Sequence, residues 1–173
     1  MKLEISSNWR VRIAALLTTA LLTSGGLLAI ARQPLPAVTL TTANGAAVVS
    51  SGVVQPGRWL LVLVGPDCRT CERVLATVRA ERDPSLAEHM VILVGGPAAS
   101  VTPLSSRFPD LARATWLADP DRRMAAALHL PGTPVILGLS GPETEWSITG
   151  VPRTVNDVLS AMRSWIAPTP QKK

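Results

Sequence analysis

The chain contains no tyrosine, one phenylalanine, two cysteines and two histidines among its 173 residues. Two cysteines cannot staple a disulfide-rich mini-protein or fill a four-cysteine zinc site. His89 and His129 are the only ligands beyond carboxylates that could complete a cysteine-based zinc site, and their spacing matches no finger pattern. No glycine-rich phosphate loop and no Ser/His/Asp arrangement is evident. Basic stripes are lacking too, although the sequence pI is about 10.2. The only adjacent basic pairs are Arg122-Arg123 and Lys172-Lys173, with no aromatic platform between basic residues, so nucleic acid is not an expected partner. Disorder is excluded as well, because 47% of the residues are apolar.

What is present begins with a membrane signal. Ile13 to Ala31 is a run of 19 residues without a charge, diluted by Thr18, Thr19, Thr23, Ser24, Gly25 and Gly26. As a helix it reaches about 28 Å, close to the ~30 Å hydrocarbon core. Lys2, Arg10 and Arg12 precede it and only Arg32 follows closely. That bias places residues 1–12 in the cytoplasm and the bulk of the chain outside. Residues 13–31 are therefore expected as a single transmembrane anchor. The competing reading is a signal peptide cut after Ala29-Ile30-Ala31, an A-x-A pattern. Either way the two cysteines face an oxidising compartment. No cysteine ends the run, so nothing suggests a lipoprotein.

Residues 32–37 read as a linker, 38–167 as one domain and 168–173 as a disordered polar tail. Val38–Thr42 and Ala46–Val49 flank Asn44-Gly45, a type I′ hairpin signal. Trp59–Val64 and Met90–Val94 are continuous apolar runs of strand length, the mark of strands covered on both faces. Cys71, Val74, Leu75 and Val78 form one apolar helical stripe that Pro84 ends, with Asp67 as the expected N-cap. A short helix is expected near Ser105–Ala114, a short strand at Thr115–Ala118 and a helix within Asp119–Leu130. A strand at Val135–Leu139 follows, with Trp146–Thr149 as its hairpin partner. Thr154 opens the last helix, whose apolar residues are Val155, Val158, Leu159, Met162, Trp165 and Ile166. This order predicts an α/β fold: a mixed sheet with helices on both faces and an N-terminal β-hairpin extension.

The chemistry is expected at Cys68-Arg69-Thr70-Cys71. The motif follows a buried strand and opens a helix. A thiol at a helix N-terminus meets unpaired N–H groups and the positive dipole end, which favour the thiolate. Arg69 adds positive charge nearby and Asp67 opposes it. The spacing leaves Cys68 exposed at the first turn and Cys71 more buried. Cys68 would attack a substrate disulfide and Cys71 would resolve the mixed disulfide. The competing readings are a zinc half-site, a purely structural disulfide and two inert thiols. A second signal is Thr133-Pro134 at the start of a strand, where proline is confined to edges and first positions.

Together these features resemble the thioredoxin fold, specifically the membrane-anchored thiol–disulfide oxidoreductases of the TlpA/ResA type, over about residues 35–166. The hairpin, the buried strand and the Cys68–Cys71 motif carry the resemblance first. The stretch LADPDRRMAAALHLPGTPVILGLSGPETEWSITGV is similar to the family's helix, cis-proline and terminal hairpin. The 63 positions from Cys71 to Pro134 match members with an extra segment in mid-domain. The resemblance implies a cis Thr133–Pro134 peptide beside the dithiol, with the Thr133 backbone available to an extended substrate. It implies no cofactor beyond the redox-active Cys68–Cys71 disulfide. Its partners would be thiols or disulfides of exported proteins, for example apocytochrome c before haem attachment, and a membrane electron donor. Gly65-Pro66-Asp67 departs from the aromatic approach usual in the family and is closer to MauD-type accessory proteins of methylamine dehydrogenase maturation. Val62 stands where thioredoxin has a buried acid, and Val74 where some anchored relatives carry one. These losses keep open a reading from another class, a thioredoxin-like module that holds a partner or a metal ion without turnover.

Overall fold

A computed structural model describes residues 32–81, 83–150 and 155–167. The expected anchor at 13–31, the Thr154 cap and the tail at 168–173 lie outside the described residues. No helix among the described residues is long and apolar enough to cross a membrane.

Among the described residues eight strands form one mixed sheet: β1 (Gln33–Pro34), β2 (Thr39–Thr42), β3 (Ala47–Val49), β4 (Arg58–Val64), β5 (Met90–Gly95), β6 (Thr115–Asp119), β7 (Val135–Ser140) and β8 (Glu143–Thr149). Five α-helices among the described residues accompany them: α1 (Arg69–Ala80), α2 (Pro84–Glu88), α3 (Val101–Ser105), α4 (Arg123–Ala127) and α5 (Val155–Ile166). The spatial order is β1-β8-β7-β4-β5-β6-β2-β3. β4 is parallel to β5, and β5 to β6; every other pairing is antiparallel.

The two central strands show why their sequences lack alternation. Leu60, Val62 and Val64 of β4 point to one face, with Met90, Ile92 and Val94 of β5. There they meet the α1 stripe Cys71, Val74, Leu75 and Val78, and Val158, Leu159 and Met162 of α5. Leu61, Leu63, Val91 and Leu93 point to the other face and pack on Met124 and Ala125 of α4, with Leu35 and Leu40. Side chains alternate across a strand, so burial on both faces demands an unbroken apolar run. The expected mixed sheet with helices on both faces is what the chain forms.

Several local expectations are corrected. Only Gly45 of the Asn44-Gly45 pair has positive φ, at 88°. The Gly45 N–H donates to the Thr42 carbonyl at 2.9 Å, which puts Ala43 and Asn44 at the turn centre. The connection is thus a three-residue loop closed by a left-handed glycine, not a two-residue type I′ turn. Pro84 does not simply end a helix; it is the first residue of α2, where a missing N–H costs nothing. The segment expected as a linker contributes β1, which pairs with β8 through Gln33–Thr144 and Pro34–Glu143. The helix within Asp119–Leu130 is short because Asp121 and Arg122 are both left-handed, with φ of 57° and 54°. The expected helix near Ser105–Ala114 falls earlier, at Val101–Ser105.

Candidate active site

β4 runs through the core and ends at Val64. Gly65, Pro66 and Asp67 turn the chain, and α1 begins at Arg69. The helix N-cap is Cys68, with extended backbone at φ −92°. Its Sγ accepts the Cys71 N–H at 3.1 Å. Asp67, the expected cap, is exposed and one residue too early. The correction matters chemically: sulfur rather than a carboxylate occupies the position at which the first-turn N–H groups point. Arg69 is the first helical residue and is exposed.

Cys68 and Cys71 are joined as a disulfide, with their Cα atoms 5.2 Å apart. Cys68 is half-buried, whereas Cys71 is fully buried. A single turn of helix therefore presents one sulfur to a partner and withholds the other.

The second signal meets the first in space. Thr133–Pro134 is a cis peptide. The Thr133 carbonyl oxygen lies 3.9 Å from Cys68 Sγ. The Pro134 carbonyl is occupied, accepting the Gly150 N–H at 2.8 Å. Gly65 makes this approach feasible. A Cβ there would stand 3.2 Å from Cys68 Cβ and 3.3 Å from Thr133 Oγ1. The sequence singled out Gly65 only as part of the Gly65-Pro66-Asp67 approach to the motif; the structure makes it a site residue in its own right.

The bed under the dithiol is apolar. Val62 and Val74 are fully buried in the same cluster as Cys71. Among the described residues the buried polar side chains are Ser50, Asp119 and Thr144. Asp119 is committed elsewhere. Its carboxylate accepts the Met124 N–H at 3.0 Å and the Ala125 N–H at 3.4 Å, capping α4. Glu72, one residue past Cys71, is drawn outward into an ion pair with Arg107 at 2.6 Å. A proton for the Cys71 sulfur must then come from solvent or from the partner. No group of three or more His, Cys, Asp or Glu residues among the described residues could hold a metal ion.

No family model and no curated protein matches the sequence. Solved structures do match by shape. A secreted disulfide oxidoreductase of Mycobacterium tuberculosis, homologous to E. coli DsbE, superposes with a TM-score of 0.53 at 19% identity, covering 73% of this chain and 95% of its own. A thio-disulfide isomerase of Thermus thermophilus gives 0.56 at 18% identity, covering 80% and 98%. The chain has the thioredoxin-like fold. Reduced Prx3 of Vibrio vulnificus, solved with hydrogen peroxide, also matches, with a TM-score of 0.59 at 17% identity over 77% of this chain and 99% of that one. Shape alone thus spans more than one chemistry, and the arrangement at Cys68, Cys71 and Thr133 has to choose among them.

Proposed function

We propose that the protein is a membrane-anchored, extracytoplasmic thiol–disulfide oxidoreductase acting on exported proteins. One observation carries the reading: a half-buried sulfur at a helix N-cap, disulfide-bonded to a fully buried one and 3.9 Å from the Thr133 carbonyl. In the reductive direction the Cys68 thiolate attacks one sulfur of a substrate disulfide. The substrate S–S bond breaks, and the departing thiolate takes a proton from solvent. Cys71, deprotonated, then attacks Cys68 Sγ, releases the second substrate thiolate and closes the Cys68–Cys71 bond. Two electrons pass from the dithiol to the substrate. Thr133 offers its backbone beside the reacting sulfur to an extended substrate segment. A membrane-bound dithiol donor returns the two electrons.

The location rests on the uncharged run Ile13–Ala31 and the basic residues before it. In that compartment the reading extends to apocytochrome c thiols, or to disulfide maturation of the MauD kind. The apolar bed of Val62 and Val74 favours a second reading. In it the two sulfurs hold a partner or a metal ion without turnover, since no buried carboxylate among the described residues is free to relay a proton to Cys71.

Trapping separates the two. With the full chain expressed in its host, Cys71→Ala should accumulate mixed disulfides with exported proteins through Cys68, and reductant should release them. Cys68→Ala should trap nothing. Absence of trapped partners, with function surviving Cys68→Ala, would remove the enzyme reading. Stoichiometric copper or zinc on the purified chain would install the second.

A further inference from the structure

Beside Cys68 and Thr133 lies a cleft of about 250 Å³. Its walls include Gly65, Gly95, Gly132, Thr133 and Arg122. Gly65 ties it to the dithiol, because a Cβ there would stand 3.2 Å from Cys68 Cβ. Three of its eight lining residues are glycines, two are prolines, and Arg122 is the one that carries a charge.

Arg122 reaches this place by an uncommon route. It and Asp121 are consecutive non-glycine residues in the left-handed region. Such residues persist only where their surroundings hold them. Here the hold is visible: the buried Asp119 carboxylate fastens the start of α4 immediately after them. The Arg122 stem passes over Gly95, with Cγ 3.7 Å from where a Gly95 Cβ would be. Of the acids nearby, Asp121 pairs with Arg123 at 3.3 Å and Asp119 is spent on the start of α4, while Asp67, exposed between Pro66 and Cys68, has no ion-pair partner among the described residues. Arg122 has no acidic partner among the described residues. The fold therefore sets Arg122, exposed and without an acidic partner among the described residues, on the wall of a cleft that also takes in Gly65 and Thr133 beside the dithiol, and its guanidinium is a planar donor fork suited to carboxylates.

We propose that Arg122 is a specificity residue that receives a carboxylate carried by the disulfide substrate close to the sulfur that Cys68 attacks. This rests on the oxidoreductase reading above. The substrate class it selects is an acidic disulfide, such as a cysteine flanked by Asp or Glu in an exported polypeptide.

The test uses the full chain, purified in mild detergent and reduced. Its substrates are two disulfide-linked peptide homodimers that differ only in Asp or Asn beside the cysteine, with oxidised glutathione as a small acidic disulfide. The readout is the ratio of second-order exchange rate constants, Asp peptide over Asn peptide. We expect a ratio of about five, within the range of a partly exposed charge pair, falling towards one in 0.5 M salt. Arg122→Asn removes the guanidinium and keeps a residue that tolerates left-handed backbone, so the ratio should collapse towards one in a folded protein. Arg122→Lys should restore part of it. If glutathione is favoured over both peptides and loses that advantage in Arg122→Asn, the carboxylate comes from a small disulfide. A wild-type ratio near one overturns the proposal, as does a ratio that survives Arg122→Asn. Failure of the wild type to exceed Cys68→Ala on any substrate would instead overturn the oxidoreductase reading beneath it.

Discussion

Gly138→Ala is a small change that the structure makes expensive. Gly138 lies in β7 opposite Trp146 of β8, at a register shift between Gly138 and Leu139. A Cβ at Gly138 would sit 2.8 Å from Trp146 Cδ1 and nearer still to Nε1 and Cε2. Ordinary contact begins at 3.4 Å, so the ring must retreat by more than an ångström. It has little room to do so. Trp146 packs edge-on against Trp165, with centroids 6.0 Å apart and planes at 86°. Trp165 is itself held, donating Nε1–H to the Trp59 carbonyl at 3.1 Å. The Arg58 guanidinium covers its ring at 4.7 Å. Overpacking of this kind costs roughly 1–3 kcal/mol, and loss of the aromatic pair adds about 0.5–1.5 kcal/mol. Gly138→Ala should therefore lose about 2–4 kcal/mol in urea denaturation followed by tryptophan fluorescence. In a Trp146→Ala background the three atoms nearest to that methyl group, all of the indole, are gone. There it should be neutral or stabilise by up to about 1 kcal/mol, as alanine does over glycine in a strand. The cycle should thus show a coupling of about 2–5 kcal/mol. Equal costs in the two backgrounds, or a cost below about 1 kcal/mol in the wild type, would refute the close-approach argument.

Three further outcomes follow from the same geometry. Asp119→Ala leaves the buried Met124 and Ala125 N–H groups without their acceptor; thermal unfolding should show a loss of about 2–3 kcal/mol, with Asp119→Asn, which keeps one oxygen, costing about half as much. Gly65→Ala should slow disulfide exchange about three- to tenfold while shifting stability by less than about 1 kcal/mol, because its methyl group presses Cys68 and Thr133 apart by tenths of an ångström. Hydrogen bonds from the Ser85 hydroxyl and N–H hold the Asp83 carboxyl below its ordinary pKa. The ionised form is thus favoured in the folded state, and its stabilisation is present above about pH 4 and lost as pH falls through the lower folded value. Asp83 is almost wholly exposed, so Asp83→Ala should cost no more than about 0.5–1 kcal/mol at pH 7, and the gap between variant and wild type should close below about pH 4.

The parts of the fold legible in the sequence were those where one physical demand acts alone. β4 and β5 stand out because burial on both faces permits no polar residue, and α1 because one face packs on the sheet and the other meets water. The dithiol was legible for a related reason: a buried strand leading directly into an amphipathic helix leaves two cysteines a turn apart at the helix start. Elements set by a balance of demands were not. Pro84 is both a helix breaker and a favoured first residue, and the chain ahead of it decides which. Asn44-Gly45 offers two loop lengths, and the Thr41–Ala47 pairing selects the longer. Arg122 showed only as half of a basic pair. Its place on the cleft wall with Gly65 and Thr133 depends on Asp119 fastening α4 and on the parallel alignment of β5 and β6, which no local pattern encodes.

β8 is seven residues long and would be the outermost strand of the sheet without β1. The two residues of β1 cover one end of it, and the Leu35 N–H donates to the Pro142 carbonyl at 2.6 Å. Pro34 brings no N–H, and Arg32 pairs with Glu145 at 3.1 Å. A proline and a charge pair on a short outer strand are the features that discourage a second molecule from adding its own strand there. The stretch by which the chain enters the domain is thus also its guard against aggregation. Shortening the protein to residue 38 would leave Cys68, Cys71 and Thr133 in place and extend the bare edge of β8 over its whole length, where a second molecule could add a strand.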